Sequence, residues 1–413
     1  MKTVPLRRVL SPRDETNRTD LQVLSVYREH GVVPKQSRSD NFNKTPVDVS
    51  RYLRVAPGDL VVNKMKAWSG SVAVSQFEGI VSGDYLVCAV EGMRPKYLHY
   101  LLRSSELIGQ MRIRSSGIRP SQERLYWEDL ADIEVRLPDA AEQQQWIADF
   151  LDDRVARIDR IIAARREQIV SLHATLARRS FAAVAGRDEK GGRKASGLEW
   201  LGDVPAGWAM LTVSSDFVVD LGKMLDEKRQ TGEDSVPYLR NTNVQWDRID
   251  TSDLKSMDIG QAERQRFTLR LGDLLICEGG QPGRSAIWDG SVSLLGYQKA
   301  LHRARSRGRS RPAWLLECLR VAVHMNAFAI ENGQTTIGHL TNEQLRGQRF
   351  PFPDPEVQDR LLSDLAAQRA ETLRISSALS RSIDLLTEYK SSLITAAVIG
   401  ELDVTTAGSG IAG

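Results

Sequence analysis

Apolar and polar positions follow two different rhythms along this chain. Up to about residue 140, and again from about 200 to 355, short apolar runs are broken by turn residues, as strands of a mixed α/β domain require. Leu60-Val61-Val62 is such a run, fed by a turn at Val55-Ala56-Pro57-Gly58-Asp59 in which Pro fixes φ and Gly accepts positive φ. Gly79 to Cys88 adds two strand-like pieces, and Arg94-Pro95 and Arg311-Pro312 each start a helix. From Glu142 to Ala185 the rhythm changes: there is no Pro or Gly, good helix formers dominate, and apolar residues recur at Leu151, Val155, Ile158, Ile162, Ile169, Leu172 and Leu176. This heptad seam predicts one helix roughly 65 Å long at ~1.5 Å per residue. A second seam, through Leu365, Thr372, Ile375, Leu379, Leu386, Tyr389 and Leu393, predicts another over Glu356 to Ile399. Gly186 and Gly400 end the two helices.

The rhythm repeats because the chain contains its frame twice. Ala182-Ala183-Val184-Ala185-Gly186 matches Ala396-Ala397-Val398-Ile399-Gly400 at an offset of 400 − 186 = 214. The same offset links Glu142-Gln143-Gln144 to Glu356-Val357-Gln358, and Gly58-Asp59-Leu60 to Gly272-Asp273-Leu274. Three anchors at one spacing indicate tandem duplication. The expected order is a first domain over 1–140, a long helix over 141–186, a Gly-rich charged linker over 187–199, a second domain over 200–355, a second helix over 356–400 and a tail over 401–413. The linker composition predicts flexibility. The expected fold class is α+β: two mixed α/β domains separated by a pair of long antiparallel helices, related by a pseudo-two-fold axis as a dumbbell.

Charge and chemistry change this picture little. A net charge of +3 is compatible with nucleic acid and does not demand it. Cys88, Cys277 and Cys318 have neither metal-site nor disulfide-framework spacing. No apolar run approaches ~20 residues, so no membrane span is expected, and the N-terminal residues lack the apolar stretch of a signal peptide. A soluble cytoplasmic protein is the expectation. No phosphate-binding loop, GxSxG, HExxH or dinucleotide fingerprint occurs, and the six histidines show no ligand spacing. Asp59 with Lys64 and Lys66 could suggest a metal-dependent nuclease, but the duplicate pair Asp273 and Glu278 has no lysine in register, which favours a turn.

The informative polar residues lie in loops. In the first domain these are Lys35 and Arg38, then Lys64, Lys66 and Trp68, then Arg112, Arg114, Arg119 and Gln122. In the second they are Arg240, Asn241, Asn243, Gln245 and Trp246, then Gln281 and Arg284, Gln298 and Lys299, and Gln334, Thr335, Thr336 and His339. Arg suits guanine edges and Asn or Gln suits adenine edges through paired hydrogen bonds. Each cluster also fits an ordinary solvated loop. Arg303, Arg305, Arg307, Arg309 and Arg311, at alternate positions, fit either a phosphate-binding patch or a variable basic loop.

Several stretches together resemble the specificity (S) subunit of Type I restriction-modification systems. They are Pro57 to Val62, Gly79 to Val87, Glu142 to Asp152, Trp200 to Trp208 and Leu393 to Gly400. The resemblance implies two target recognition domains that each read half of a split double-stranded DNA site, with the helix pair as a ruler for the gap. It implies no catalytic site in this chain. It further implies two methyltransferase (M) subunits carrying S-adenosylmethionine, docked at the helix starts, and restriction (R) subunits using ATP and Mg. Candidate docking residues are Glu142, Gln144, Ile147, Phe150 and Leu151 in the first helix, and Glu356, Gln358, Leu361 and Leu365 in the second. The second helix has Leu361-Leu362-Ser363-Asp364-Leu365-Ala366 where the first has Ile147-Ala148-Asp149-Phe150-Leu151-Asp152, a departure within the docking stretch. A different class of reading is a helical scaffold that joins two protein-binding modules without DNA.

Overall fold

The computed structural model describes residues 2–28, 30–38, 44–117, 123–225, 231–331 and 338–404. The chain divides into two compact units, Met1–Glu167 with Leu379–Gly413, and Gln168–Ala378. Each is a mixed helix-and-strand unit, and each takes one part of both long helices, Ala141–Val184 and Pro355–Ile399.

The first unit is built on an antiparallel four-stranded sheet in the order Leu10–Pro12, Tyr85–Val90, Leu60–Asn63, Val72–Val74. The second has the same order: Phe217–Leu221, Leu301–Ser306, Leu274–Cys277, Ser285–Ile287. The strands Leu60–Asn63 and Leu274–Cys277 open on unbroken apolar runs because alternate side chains feed cores on opposite faces. Leu60 and Val62 join one cluster while Val61 joins another, and Leu274 and Ile276 part from Leu275 and Cys277 in the same way.

The Gly-Asp turn before each central strand has a structural purpose. Gly58 and Gly272 take φ of +92° and +87°, which L side chains adopt only with strain. Asp59 accepts a hydrogen bond from the Ala56 backbone N–H at 2.8 Å and one from Arg13 at 2.9 Å. Asp273 accepts from the Arg270 N–H at 2.7 Å and from two nitrogens of Arg305 at 2.7 and 2.6 Å. Both carboxylates are therefore committed to turns and to arginines. Among the described residues, no group of three or more His, Cys, Asp or Glu side chains is placed to hold a metal ion.

A short antiparallel pair delivers the chain into each long helix: Lys2–Pro5 with Glu134–Leu137, and Ala209–Thr212 with Arg349–Phe352. A buried glutamine then locks each helix start. Gln144 accepts from the Arg94 N–H at 3.0 Å and donates to the Pro138 carbonyl at 3.4 Å. Gln358 repeats the clamp, accepting from the Arg311 N–H at 2.8 Å and donating to the Pro353 carbonyl at 2.7 Å. In the first unit, Ile147, Leu151, Ile158 and Ile162 of the first helix share a core with Leu393, Ile394, Ala397 and Val398 of the second. In the second unit the ends exchange roles, with Val184 and Ala185 beside Leu361. The helices are thus antiparallel. No helix among the described residues is long and apolar enough to cross a membrane.

The stretch after the first helix differs from expectation. The Arg187 N–H donates to the Ala182 carbonyl at 2.8 Å, the Gly186 N–H donates to Ala183 at 3.1 Å, and Gly186 has φ of +56°, a Schellman end. Arg193 then donates to the Ala185 and Gly186 carbonyls at 2.9 Å each, and Arg193–Ala195 pairs with Asp203–Pro205 as a small antiparallel sheet. Side-chain capping and strand pairing order a segment whose glycines and charges predicted flexibility.

Candidate nucleic-acid interface

In the second unit, four loops converge beyond the ends of Ser235–Leu239 and Leu274–Cys277. The Gln298 N–H donates to the Leu239 carbonyl at 2.9 Å, and the Glu278 N–H donates to Ala300 at 3.0 Å. The Leu340 N–H donates to the Glu278 carbonyl at 2.7 Å, and Asn241 reaches the Gly279 carbonyl at 2.7 Å. Arg284 donates to the Asn241 carbonyl at 3.1 Å. Most of the described candidate residues of this unit, Arg240 to Trp246, Gln281 to Arg284, Gln298 and Lys299, and His339, are thereby brought to one place.

They divide by role. Gln245, Gln281, Lys299 and His339 are exposed, while Arg240, Asn241, Trp246, Arg284 and Gln298 are half-buried. Asn243 is buried; it accepts from the Arg240 N–H at 2.9 Å and donates to the Asp250 carbonyl at 3.0 Å, so it shapes the loop. Arg240 is held by the Asp253 carboxylate at 2.6 Å. His302 beneath the loops is fully buried and bonded to the Leu340 carbonyl at 2.8 Å, and burial pushes its pKa down. Gln334, Thr335 and Thr336 lie outside the described residues.

The first unit places a different set at the matching strand end. Lys64 follows Leu60–Asn63 and donates to the Gly83 carbonyl at 2.8 Å, while its own carbonyl accepts from Leu125 at 2.9 Å. Arg124 comes within 3.4 Å of Asp84 on the same loop cluster. Lys66 is exposed, and Trp68 is half-buried with its indole N–H on the Met65 carbonyl at 3.0 Å. The turn carrying Trp68 packs on helix Ser105–Arg114, which bears exposed Arg112 and half-buried Arg114, the latter bonded to Gln110. Lys35 and Arg38 follow another strand, Gly31–Pro34; Lys35 donates to Thr45 at 2.9 Å and Arg38 covers Tyr27 at 5.1 Å. Arg119 and Gln122 lie outside the described residues.

Arg124, Asp84 and Asp253 had no signal in sequence, since each meets its partner only through the fold. Of the alternating arginines, Arg307, Arg309 and Arg311 are exposed, while Arg303 is buried and Arg305 half-buried. Arg303 is buried against Asp220, Arg305 pairs with Asp273, and Arg311 pairs with Asp359 at 2.6 Å. Arg309 lies 3.9 Å from Asp216. All three cysteines are buried, and burial raises the Cys88 thiol to about 12, so these are core side chains.

On the long helices, Glu142 and Glu356 are exposed and Phe150 is half-buried, beside Trp146 at 57% exposure. Gln144, Ile147, Leu151, Gln358, Leu361 and Leu365 are buried. The two glutamines, Ile147, Leu151 and Leu361 are turned into the chain's own units rather than outward.

Taken together, the second unit presents amides, cations and an aromatic ring beyond its sheet, and the first presents cations and an aromatic ring. Such groups suit base edges and backbone phosphates. No family's sequence profile matches this chain, and no curated protein matches it. Among solved structures, one chain from work on complex assembly and conformational transition of the type I R-M system is similar at 17% identity, over 97% of this chain and 98% of that one, with a TM-score of 0.71. The HsdS subunit from Thermoanaerobacter tengcongensis is similar at 17% identity over 97% of each chain, with a TM-score of 0.55. At this identity the likeness is one of fold.

Proposed function

We propose that this chain, which has the fold of a type I restriction-modification specificity subunit, reads a bipartite double-stranded DNA site. One observation supports this most. The duplicated frame carries unlike residues at the matching strand end, Lys64, Met65 and Lys66 in one unit against Glu278, Gly279 and Gly280 in the other. Two readers of different half-sites would keep the frame and vary those positions, as here. Base contacts specify and phosphate contacts position, so Gln245, Gln281, Lys299 and His339 read or anchor one half and Lys64, Lys66 and Trp68 the other.

In this reading the antiparallel helices set the gap between half-sites. Two methyltransferase subunits dock on the exposed and half-buried parts of the helix starts, Glu142, Trp146 and Phe150 on the first and Glu356 on the second. Those subunits supply S-adenosylmethionine and methyl transfer, restriction subunits supply ATP- and Mg-dependent steps, and this chain catalyses neither. The setting is the cytoplasm.

Selection by the full-length chain, with a type I methyltransferase subunit present, from duplexes randomised at every position tests the reading. The expected product is two short motifs separated by a fixed gap. Absence of any sequence preference at moderate salt would overturn it in favour of a scaffold.

A further inference from the structure

We propose that Arg103 and Arg320 are positioning residues that clip a hairpin of each unit to the long-helix side, and that base readout by each half depends on its clip. This rests on the bipartite reading above.

The two arginines hold the same place in the duplicated frame. Arg94 and Arg311 precede the prolines that open the two matching helices, 311 − 94 = 217, and 320 − 103 = 217. In the first unit, Arg103 donates to the Arg28 carbonyl at the tip of hairpin Leu24–Tyr27 and Gly31–Pro34. In the second, Arg320 stacks on the Trp246 ring at 4.6 Å and pairs with Asp247 at 2.5 Å, at the tip of hairpin Val244–Gln245 and Arg248–Ile249. Asp247 sits there with φ of +60°.

The second clip continues into the long helix. Arg320 lies 3.4 Å from Glu317, and Glu317 accepts from Arg369 at 2.6 Å. Arg369 in turn approaches Asp247 at 4.0 Å, which closes a ring of four charges. Glu317 is 2% exposed, and a carboxylate so buried persists only when paired. Arginine suits this place and lysine does not, because its planar fork stacks on an indole while bonding carboxylates. A hairpin with two-residue strands has little stability of its own. Its geometry, and that of Arg240 to Gln245 leading into it, is fixed by what it docks on.

The crevice beside each clip is also duplicated but differently filled. Thr387, Ser391 and Ile394 line the first and His173, Ala177 and Ser180 the second, each 214 residues apart (387 − 173 = 214). In the first, Lys390 of the long helix pairs with Asp159 at 2.6 Å beside Arg28 and Arg103. The clip is therefore a property of the frame, and its chemistry is private to each unit.

The test repeats the randomised-duplex selection with full-length Asp247→Asn, Arg320→Lys and Arg103→Met, alongside thermal unfolding. Asn tolerates the positive φ at position 247, and Arg320→Lys keeps the charge while losing the fork. The expected result for Asp247→Asn and Arg320→Lys is about tenfold weaker base discrimination in one half-site, the other unchanged, as loss of one charge-assisted contact implies. Arg103→Met should weaken the opposite half. Discrimination unchanged in both halves, or relaxed equally in both, would overturn the proposal. If the unsubstituted chain selects no bipartite site, the underlying reading fails and the clip fails with it.

Discussion

Replacing Asp273 with alanine is expected to destabilise the second unit by about 3–5 kcal/mol, the cost of breaking a buried ion pair from one side. The carboxylate is 2% exposed and takes both nitrogens of the Arg305 fork, which is itself only 22% exposed. It also closes the turn through the Arg270 N–H, so its loss leaves an arginine and a backbone donor without partners at the start of the central strand. Asp59→Ala should cost less, because its partner Arg13 is 39% exposed and water screens the charge left behind. Hydrogen exchange at the Leu274–Cys277 amides reads the effect locally. Unchanged protection, or a larger effect at Asp59, would contradict the turn-and-pair account of these aspartates.

Gln358→Ala is expected to cost about 2–6 kcal/mol, since it leaves the part-buried Arg311 N–H and the buried Pro353 carbonyl without partners at roughly 1–3 kcal/mol each. The amide is fully buried and is the point where the second long helix is fixed to its own unit. Gln358→Glu should be no better, because a carboxylate cannot donate to the Pro353 carbonyl. Gln144→Ala should be milder, as its bond to Pro138 is longer at 3.4 Å. Thermal unfolding of the three variants checks the order, and equal midpoints would refute the clamp. If the account holds, these losses also loosen half-site spacing, because the ruler is then no longer fixed to its reader.

What was legible in sequence was local or repeated. The Pro- and Gly-free run from Glu142 to Ala185 needed only helix propensity and a seam, and it is a helix over Ala141–Val184. Gly58-Asp59 and Gly272-Asp273 announced turns because positive φ demands glycine. Side-chain partners were illegible because they lie far apart in the chain: Arg305 and Asp273 are separated by 32 residues, the Arg94 N–H and Gln144 by 50, and Arg320 and Asp247 by 73. The alternating arginines fit both a phosphate patch and a variable loop, because spacing does not reveal an opposing aspartate. Gln144 and Gln358 looked like docking residues because a glutamine at a helix start gives no sign of burial. The loops of the second unit were legible as polar clusters, while their convergence came from the sheet order, which no single stretch encodes.

In the proposed reading the paired helices hold two different readers at a set distance. This is tested most directly by deleting one heptad from each helix, residues 164–170 and 375–381, where the units divide. Seven residues remove about 10 Å of helix and nearly two whole turns, so the seam keeps its facing. In the randomised-duplex selection, both half-site motifs should be unchanged and the gap should shorten by up to about three base pairs at roughly 3.4 Å each. The same gap selected by the shortened chain would contradict the ruler.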